Sequence, residues 1–461
     1  MAVFSTVKLS ELEGAKRIDA EYYKPEYLSL LDHLRKVGCV PVKYVAFPAR
    51  RKFKPEKEEY FDYIEIAEVD LTTGEYNTSK IIGGDAPDRA QWVVNKDDIL
   101  VSTVRPIRNA VVIIKEVKEN LVCSSGFSIL HPKTIQANYL FLYFKMPFIA
   151  RLLHRHTTAT EYPAINWNDV LNTPIYVGSK EFQTKISAMM ENFFSLLKQS
   201  QSFFLQAEDL LLEELGLKDF KPKYEKTYTA NLSDAFSAHR IDAEYFQPAY
   251  EEVEKYLIKN FSAKPIKKLS FIEVTTGQYS EKYVDESEGM PYIRGTDLKN
   301  GTINTDDLVY ISPEDQIESK KAKEGDVVVT RVGTIGLSAR VPKECEGGTI
   351  SDNLIRLRFD QQKLNSYYLT LFLGSPLGVN LMIKNSRGSV QQRLNQETLK
   401  EVIVPLLPLS TQQKIASLVQ KSHEARRKAK EFLEIAKRAV EIAIEKNEEE
   451  AMNYISKFSI E

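Results

Sequence analysis

Six consecutive residues, Arg17-Ile18-Asp19-Ala20-Glu21-Tyr22, return letter for letter as Arg240-Ile241-Asp242-Ala243-Glu244-Tyr245, and Pro25 and Tyr27 return in register as Pro248 and Tyr250. No other feature constrains the fold as much, because a duplicated chain has to build the same body twice. Weaker echoes follow in the same order. Thr73-Gly74-Glu75-Tyr76-Asn77-Thr78 answers to Asn300-Gly301-Thr302-Ile303-Asn304-Thr305, Asp98-Ile99-Leu100-Val101-Ser102 to Asp326-Val327-Val328-Val329-Thr330, and Gln183-Thr184-Lys185-Ile186 to Gln412-Gln413-Lys414-Ile415. The offset drifts only from 223 to 229 residues, so the chain is one unit of about half its length in tandem.

Each copy changes its periodicity once. Short β-branched runs bounded by Gly, Asn and Pro (Val93-Val94, Ile99 to Val104, Ala110 to Ile114, Val327 to Thr330) predict strands and hairpins. The Arg-Ile-Asp-Ala-Glu-Tyr element, with Pro25 and then Tyr27, Leu28, Leu30, Leu31 and Leu34, predicts a short amphipathic helix. After the Lys-Ile element the pattern turns helical. A seven-residue spacing runs through Ile186, Phe193, Ser200 and Ala207 with companions Met189, Leu196, Phe203 and Leu210. The second copy gives Ile415, Ser422, Ala429, Ala436 and Ala443 with Leu418, Ala425, Phe432 and Ala439. Such small-residue seams let two helix backbones approach closely. Two helices of about 30 residues would each be about 45 Å long, and most simply lie antiparallel. The seam positions Phe193, Phe203, Leu210, Leu418 and Phe432 are candidates for helix pairing or partner binding.

Composition narrows the class. The 461 residues carry 62 Lys and Arg against 64 Asp and Glu, with 43% hydrophobic and 27% charged residues. That is the profile of a globular chain with more than one core. Only three cysteines occur, Cys39, Cys123 and Cys345, without a Cys-x-x-Cys, which excludes a disulfide scaffold and a thiolate zinc site and suits the cytoplasm. The first twenty residues are too charged for a signal peptide, and the most apolar stretch, Tyr139 to Leu153, is interrupted by Lys145 and Arg151 and too short for a bilayer. No membrane partner is expected.

The order of β-rich unit, long helix, β-rich unit, long helix carries two specific pieces: Gly325-Asp326-Val327-Val328-Val329-Thr330-Arg331-Val332-Gly333-Thr334-Ile335-Gly336, and the segment Val404 to Ile415 leading into the second helix. With the doubled motif, these resemble the specificity subunit of type I restriction–modification systems, over essentially the whole chain. The first copy departs from the pattern. Its hairpin, Asp97 to Pro106, lacks the glycines, and Pro174-Ile175-Tyr176-Val177-Gly178 lacks the second proline and the paired glutamines. The resemblance implies an α+β fold: two tandem β-rich target recognition domains joined and separated by two long antiparallel coiled-coil-like helices. The expected bounds are a first recognition domain over 1–178, a central spacer helix over 179–216, a second recognition domain over 217–408 and a C-terminal spacer helix over 409–461. It also implies that each domain reads one half of a bipartite target in double-stranded DNA, while the helices set the spacing and dock methyltransferase (modification) subunits, two of them, with restriction/translocase subunits as further partners. No active site or cofactor is then expected in this chain, S-adenosylmethionine belonging to the partner methyltransferase.

The residues agree with that expectation by omission. Neither an Asn-Pro-Pro-Tyr-type tetrapeptide, nor a phosphate loop, nor a Gly-x-Gly-x-x-Gly occurs, and six scattered histidines leave only His154-x-His156 as a faint metal signal, so no metal site is expected. Two windows, Leu121 to Thr160 and Gln361 to Gln396, contain no acidic residue and fall at equivalent places in the two copies. Their first halves are apolar core. Their polar second halves, Arg151 to Thr160 and Lys384 to Arg393, need another reason. A surface facing phosphates excludes carboxylates, and Arg, Gln, Ser and Thr are the types that reach base edges. The candidate DNA-binding residues are therefore Arg151, Arg155 and Thr158 in the first copy, and Lys384, Arg387, Gln391, Gln392 and Arg393 in the second. Arg105, Arg108 and Arg331 join them at the hairpin tips. Arg17 and Arg240 are expected instead in internal salt bridges tying the short helix to the long ones. Rival readings are the recognition subunit of another two-domain restriction system, a self-contained nuclease or methyltransferase with a diverged site, and a protein-binding scaffold. Salt-dependent DNA binding separates the last from the rest.

Overall fold

The computed structural model describes residues 4–458 apart from 16, 159–160, 219, 221–222, 270–271 and 389–391. The chain forms two compact units, Met1–Lys198 with Arg426–Glu461, and Gln199–Ala425. The divisions fall inside the two long helices, Lys180–Glu214 and Leu409–Glu445, so each unit owns a stretch of both. The second long helix stops at Glu445, and a short helix, Glu448–Ile455, follows with Asn447 as its N-cap.

The β-rich parts repeat one core arrangement of strands. In the first unit Ala46–Pro48, Phe127–Pro132, Ile99–Ser102 and Val111–Ile113 form one antiparallel sheet in that order. The second unit opens the same way with Ile272–Thr276, Leu354–Phe359, Val327–Thr330 and Ser338–Arg340, then adds two short strands. A second sheet in each unit contains a parallel pair, Tyr60–Ile64 with Leu121–Ser124 and Met290–Ile293 with Thr349–Ile350. The unbroken apolar runs are explained by burial on both faces. Ile99 and Val101 enter the core that packs against the helices while Leu100 enters the core under the second sheet; Val327 and Val329 divide from Val328 in the same way.

The apolar halves of the acid-free windows are buried helices, Ala137–Phe144 and Ser366–Gly374. A proline starts a second helix after each, giving Pro147–His154 and Pro376–Asn385. Tyr139 donates its hydroxyl to the Tyr176 carbonyl at 2.8 Å, and Tyr368 does the same to Pro405 at 2.9 Å. The equivalent glutamines of the two copies act as struts: the Gln183 side chain accepts from the backbone of Gln136, and the Gln412 side chain from that of Asn365. No single helix among the described residues is long and apolar enough to cross a membrane.

The buried seam is wider than the expected one. Along the first helix the buried line is Ile186, Met190, Phe193 and Leu197 in one unit and Ser200, Ala207 and Leu211 in the other. Of the expected companions three residues on, Met189, Ala425 and Ala439 are buried, and positions four residues on join them. Phe193 lies in the line, whereas Phe203 and Leu210 are half-buried on its flank. On the second helix Val419, Leu433 and Val440 join the line, and Leu418 and Phe432 are half-buried. These helices pack against the β-rich body as well as each other, so the buried stripe widens beyond a strict coiled-coil seam.

Candidate nucleic-acid interface

The hairpin tips and the polar loops form one edge in each unit. In the second unit, strand Val327–Thr330 runs into Arg331, whose carbonyl accepts from the Leu394 backbone at 2.9 Å. The Arg331 side chain donates to the carbonyls of Leu394 (3.2 Å) and Asp352 (3.1 Å). Val332 bridges Arg393, and Arg387 and Arg393 exchange both backbone hydrogen bonds at 2.9 and 2.7 Å, closing the neck of the loop. The first unit matches this. Arg105 donates its backbone N–H to Pro163 at 2.7 Å, Val104 bridges Ala164, and Ile165 donates to Thr103 at 2.9 Å.

The repeated motif lies behind this edge, and it is a capped turn rather than the start of the helix. Asp19 accepts from the Tyr22 backbone at 3.2 Å, Asp242 from Tyr245 at 3.2 Å, and the helices begin only at Pro25 and Pro248. Arg17 pairs with Asp19 through two bonds of 2.7 and 2.9 Å and donates to the carbonyls of His156 (2.9 Å) and Thr157 (3.0 Å). Arg240 pairs with Asp242 at 2.7 and 2.8 Å and donates to the carbonyls of Lys384 (3.3 Å) and Ser386 (2.7 Å). The expected salt bridges therefore lie within the motif, and they grip the ends of Pro147–His154 and Pro376–Asn385 rather than the long helices. Carbonyls in and just past the last turn of a helix lack partners inside it, which is why a guanidinium settles there.

An aromatic ring completes each clamp. Tyr22 carries the Arg17 guanidinium at 4.6 Å and that of Arg155 at 3.6 Å from its centre, while Tyr245 carries Arg240 at 4.5 Å and the Lys384 ammonium at 5.0 Å. Bonding to Arg17 holds the Asp19 carboxyl below its usual range. Burial pushes Asp242 up, but the bond to Arg240, its charge and the backbone donors together outweigh it and the net shift is down. Burial lowers the His156 imidazole against the pull of Asp169, 3.5 Å away. Beside each clamp lies an open cleft of about 570 Å³, lined by Arg155, Thr157 and Thr158 in one unit and by Ser386, Arg387 and Gln392 in the other.

The candidate residues separate into two groups. Arg108, Arg151, Thr158, Arg387, Gln392 and Arg393 are exposed, and among the described residues none of the four arginines has a carboxylate at ion-pair distance. Arg105 is half-buried over the Tyr162 ring. The others are spent internally. Lys384, expected at the surface, is 8% exposed and ion-paired with Glu254, because the aromatic shelf and that carboxylate hold its flexible stem inward. Arg155, likewise expected to face DNA, donates from Nε to the Tyr22 carbonyl at 2.6 Å, and Arg331 fastens the loop's neck. Gln391 lies outside the described residues. Tyr22, Tyr245 and the clamping role of Arg17 and Arg240 escaped the sequence reading. Their signal was the identity of the repeat itself, which marks a shared structural part without saying what it touches. No group of three or more His, Cys, Asp or Glu residues suited to a metal ion occurs among the described residues.

Two copies of a β-rich body, each presenting a loop edge with exposed arginines, make a tandem two-domain protein. Comparison with known families is specific: the family described as type I restriction modification DNA specificity domain matches over residues 47–202 and 265–456, and the chain belongs to that family. A curated relative, the type I restriction enzyme EcoBI specificity subunit of Escherichia coli, is 28% identical over 138 residues, which is 30% of this chain and 29% of the relative's length. Among solved structures, the HsdS subunit from Thermoanaerobacter tengcongensis is 18% identical with a TM-score of 0.32, covering 87% of this chain and 96% of that one. The type I restriction–modification S subunit from M. genitalium is 12% identical with a TM-score of 0.39, covering 90% and 94%.

Proposed function

We propose that the chain is the non-catalytic DNA specificity subunit of a type I restriction–modification complex. Each unit reads one half of a bipartite duplex target through its loop edge. The long helices space the halves and dock adenine-methyltransferase subunits, which bring the S-adenosylmethionine and flip the target base. The observation that carries this reading is the doubled edge. Exposed arginines without carboxylate partners lie in the acid-free window of each copy, Arg151 on helix Pro147–His154 in the first and Arg387 and Arg393 at the loop's neck in the second. Such a surface is suited to a polyanion, and its duplication to a two-part target. Family membership supports the same reading, and a cytoplasmic location goes with it.

Methylome sequencing of a host carrying the chain with its methyltransferase partner tests this. The expected result is adenine methylation in a motif of two specified parts separated by unspecified bases. A single continuous motif, or methylation indifferent to the presence of this chain, refutes the proposal.

A further inference from the structure

The motif arginines do not face solvent as readers would: the Arg17 and Arg240 side chains are 20% and 9% exposed, with their donors committed to an aspartate and two carbonyls. Those carbonyls lie where the reading loop leaves its helix, immediately before exposed Thr158 in one unit and exposed Arg387 in the other. Between the copies the gripping motif is identical in six residues, while the gripped stretches, Arg155 to Thr158 and Lys384 to Arg387, share no residue in register. A constant grip thus holds a variable reader. We infer that Arg17 and Arg240 are positioning residues for sequence discrimination, each acting on one half-site by fixing the backbone direction of its loop. The inference rests on the loop edge being the DNA-facing surface.

Arginine suits this task because its planar fork supplies five donors in fixed directions. Two go to the aspartate, which sets the plane, and two more reach carbonyls one or two residues apart in the gripped backbone. A lysine's single ammonium can hold the aspartate or a carbonyl but cannot define the plane. Losing the grip should therefore loosen the loop without removing any group that touches DNA. Cognate affinity then falls because the loop must be ordered on binding, and preference among bases falls with it.

The test uses the full chain bound to its methyltransferase partners and duplexes carrying the methylome-derived motif, intact or scrambled in either half. Arg240→Ala should speed amide exchange at Arg387 and Arg393. It should weaken binding to the intact duplex by about tenfold or more, and abolish discrimination in one half-site while the other keeps its letters. Arg240→Lys should fall between the parent and the alanine variant, and it stands as the deciding variant if the alanine protein does not fold. Arg17→Ala should reproduce the pattern on the opposite half. An Arg387→Ala/Gln392→Ala variant, clamp intact, serves as the reference for direct reading. Unchanged exchange in the Arg240 variants overturns the inference. So does faster exchange with discrimination intact, when the Arg387/Gln392 variant has lost it. If that reference variant also keeps full discrimination, the edge is not the reader and the underlying proposal falls with the inference.

Discussion

The two units solve one turn in two ways. After strand Val327–Thr330 the second unit uses Gly333 and Gly336, at φ of +77° and +91°, where glycine meets no steric cost. The first unit makes the equivalent turn with Arg105 and Asn109 at φ of +46° and +58°, and Arg105 precedes Pro106, which disfavours helical backbone further. A left-handed non-glycine residue persists only where its surroundings over-determine it. Here they do. The Arg105 N–H is bound by Pro163, the Asn109 side chain donates to the Lys145 carbonyl at 3.0 Å, and the buried Lys145 ammonium donates to the carbonyls of Asn109 (3.2 Å) and Leu71 (2.5 Å). The second unit has no such lysine; Ser375 caps its helix instead. The turn without glycine is thus held by a buried lysine, a difference visible only when the copies are set side by side.

A second contrast lies at the start of the same strands. Asp98 (0% exposed) accepts from His131 and Arg51, both partly open to solvent, whereas Asp326 (3%) binds Arg358 and lies 3.7 Å from the buried Arg356. Removing a buried carboxylate strands its partner charges in proportion to their burial. Asp326→Ala should therefore cost about 3–5 kcal/mol, and Asp98→Ala only about 1–2 kcal/mol beyond its lost hydrogen bonds. Denaturant unfolding, followed by amide exchange in each unit, measures both. Equal losses would mean the two carboxylates do the same job.

The buried lysine that supports this turn should make the first unit sensitive to pH. Burial pushes Lys145 down to about 7, with Lys437 adding to the shift. Between pH 7 and the ordinary lysine value the unfolded chain holds a proton that the folded one has released, so raising the pH favours folding. The first unit should gain stability from pH 7 to 10 by up to about 4 kcal/mol, and lose it as pH falls back through 7. Lys145→Met should flatten that profile. The second unit should lack this rise, and a matching rise there would remove the explanation.

The turn itself predicts the smallest effects, of opposite sign. Gly336→Ala forces a side chain into left-handed backbone with Val379 and Met382 at 3.0 and 3.2 Å, and should cost the second unit about 1–2 kcal/mol. Arg105→Gly relieves the strain in the first unit and should stabilise it by about 1 kcal/mol, with exposed Arg108 left in place. Thermal midpoints by calorimetry would register both. Destabilisation by Arg105→Gly would show that the guanidinium over Tyr162 matters more than the backbone.

Much of this architecture was legible before any coordinates. Duplication, the buried central strands, the long helices and the loop regions all follow from local residue patterns, because period and identity are properties of neighbouring residues. The doubled Asp-Ile-Leu-Val-Ser and Asp-Val-Val-Val-Thr runs named the central strands, and the acid-free windows named the edge segments. What could not be read was which cations face outward. Lys384 and Arg387 are three residues apart in one basic segment, yet one is buried against Tyr245 and Glu254 and the other is exposed. Similarly, Leu433 rather than Phe432 lies in the buried helix line. Sequence by itself determined the repeated unit and the chemistry of its loops, since composition and spacing are local. Only the tertiary structure decided the direction of each side chain and the grip of Arg17 and Arg240 on loops more than a hundred residues away, because those depend on what folding brings alongside.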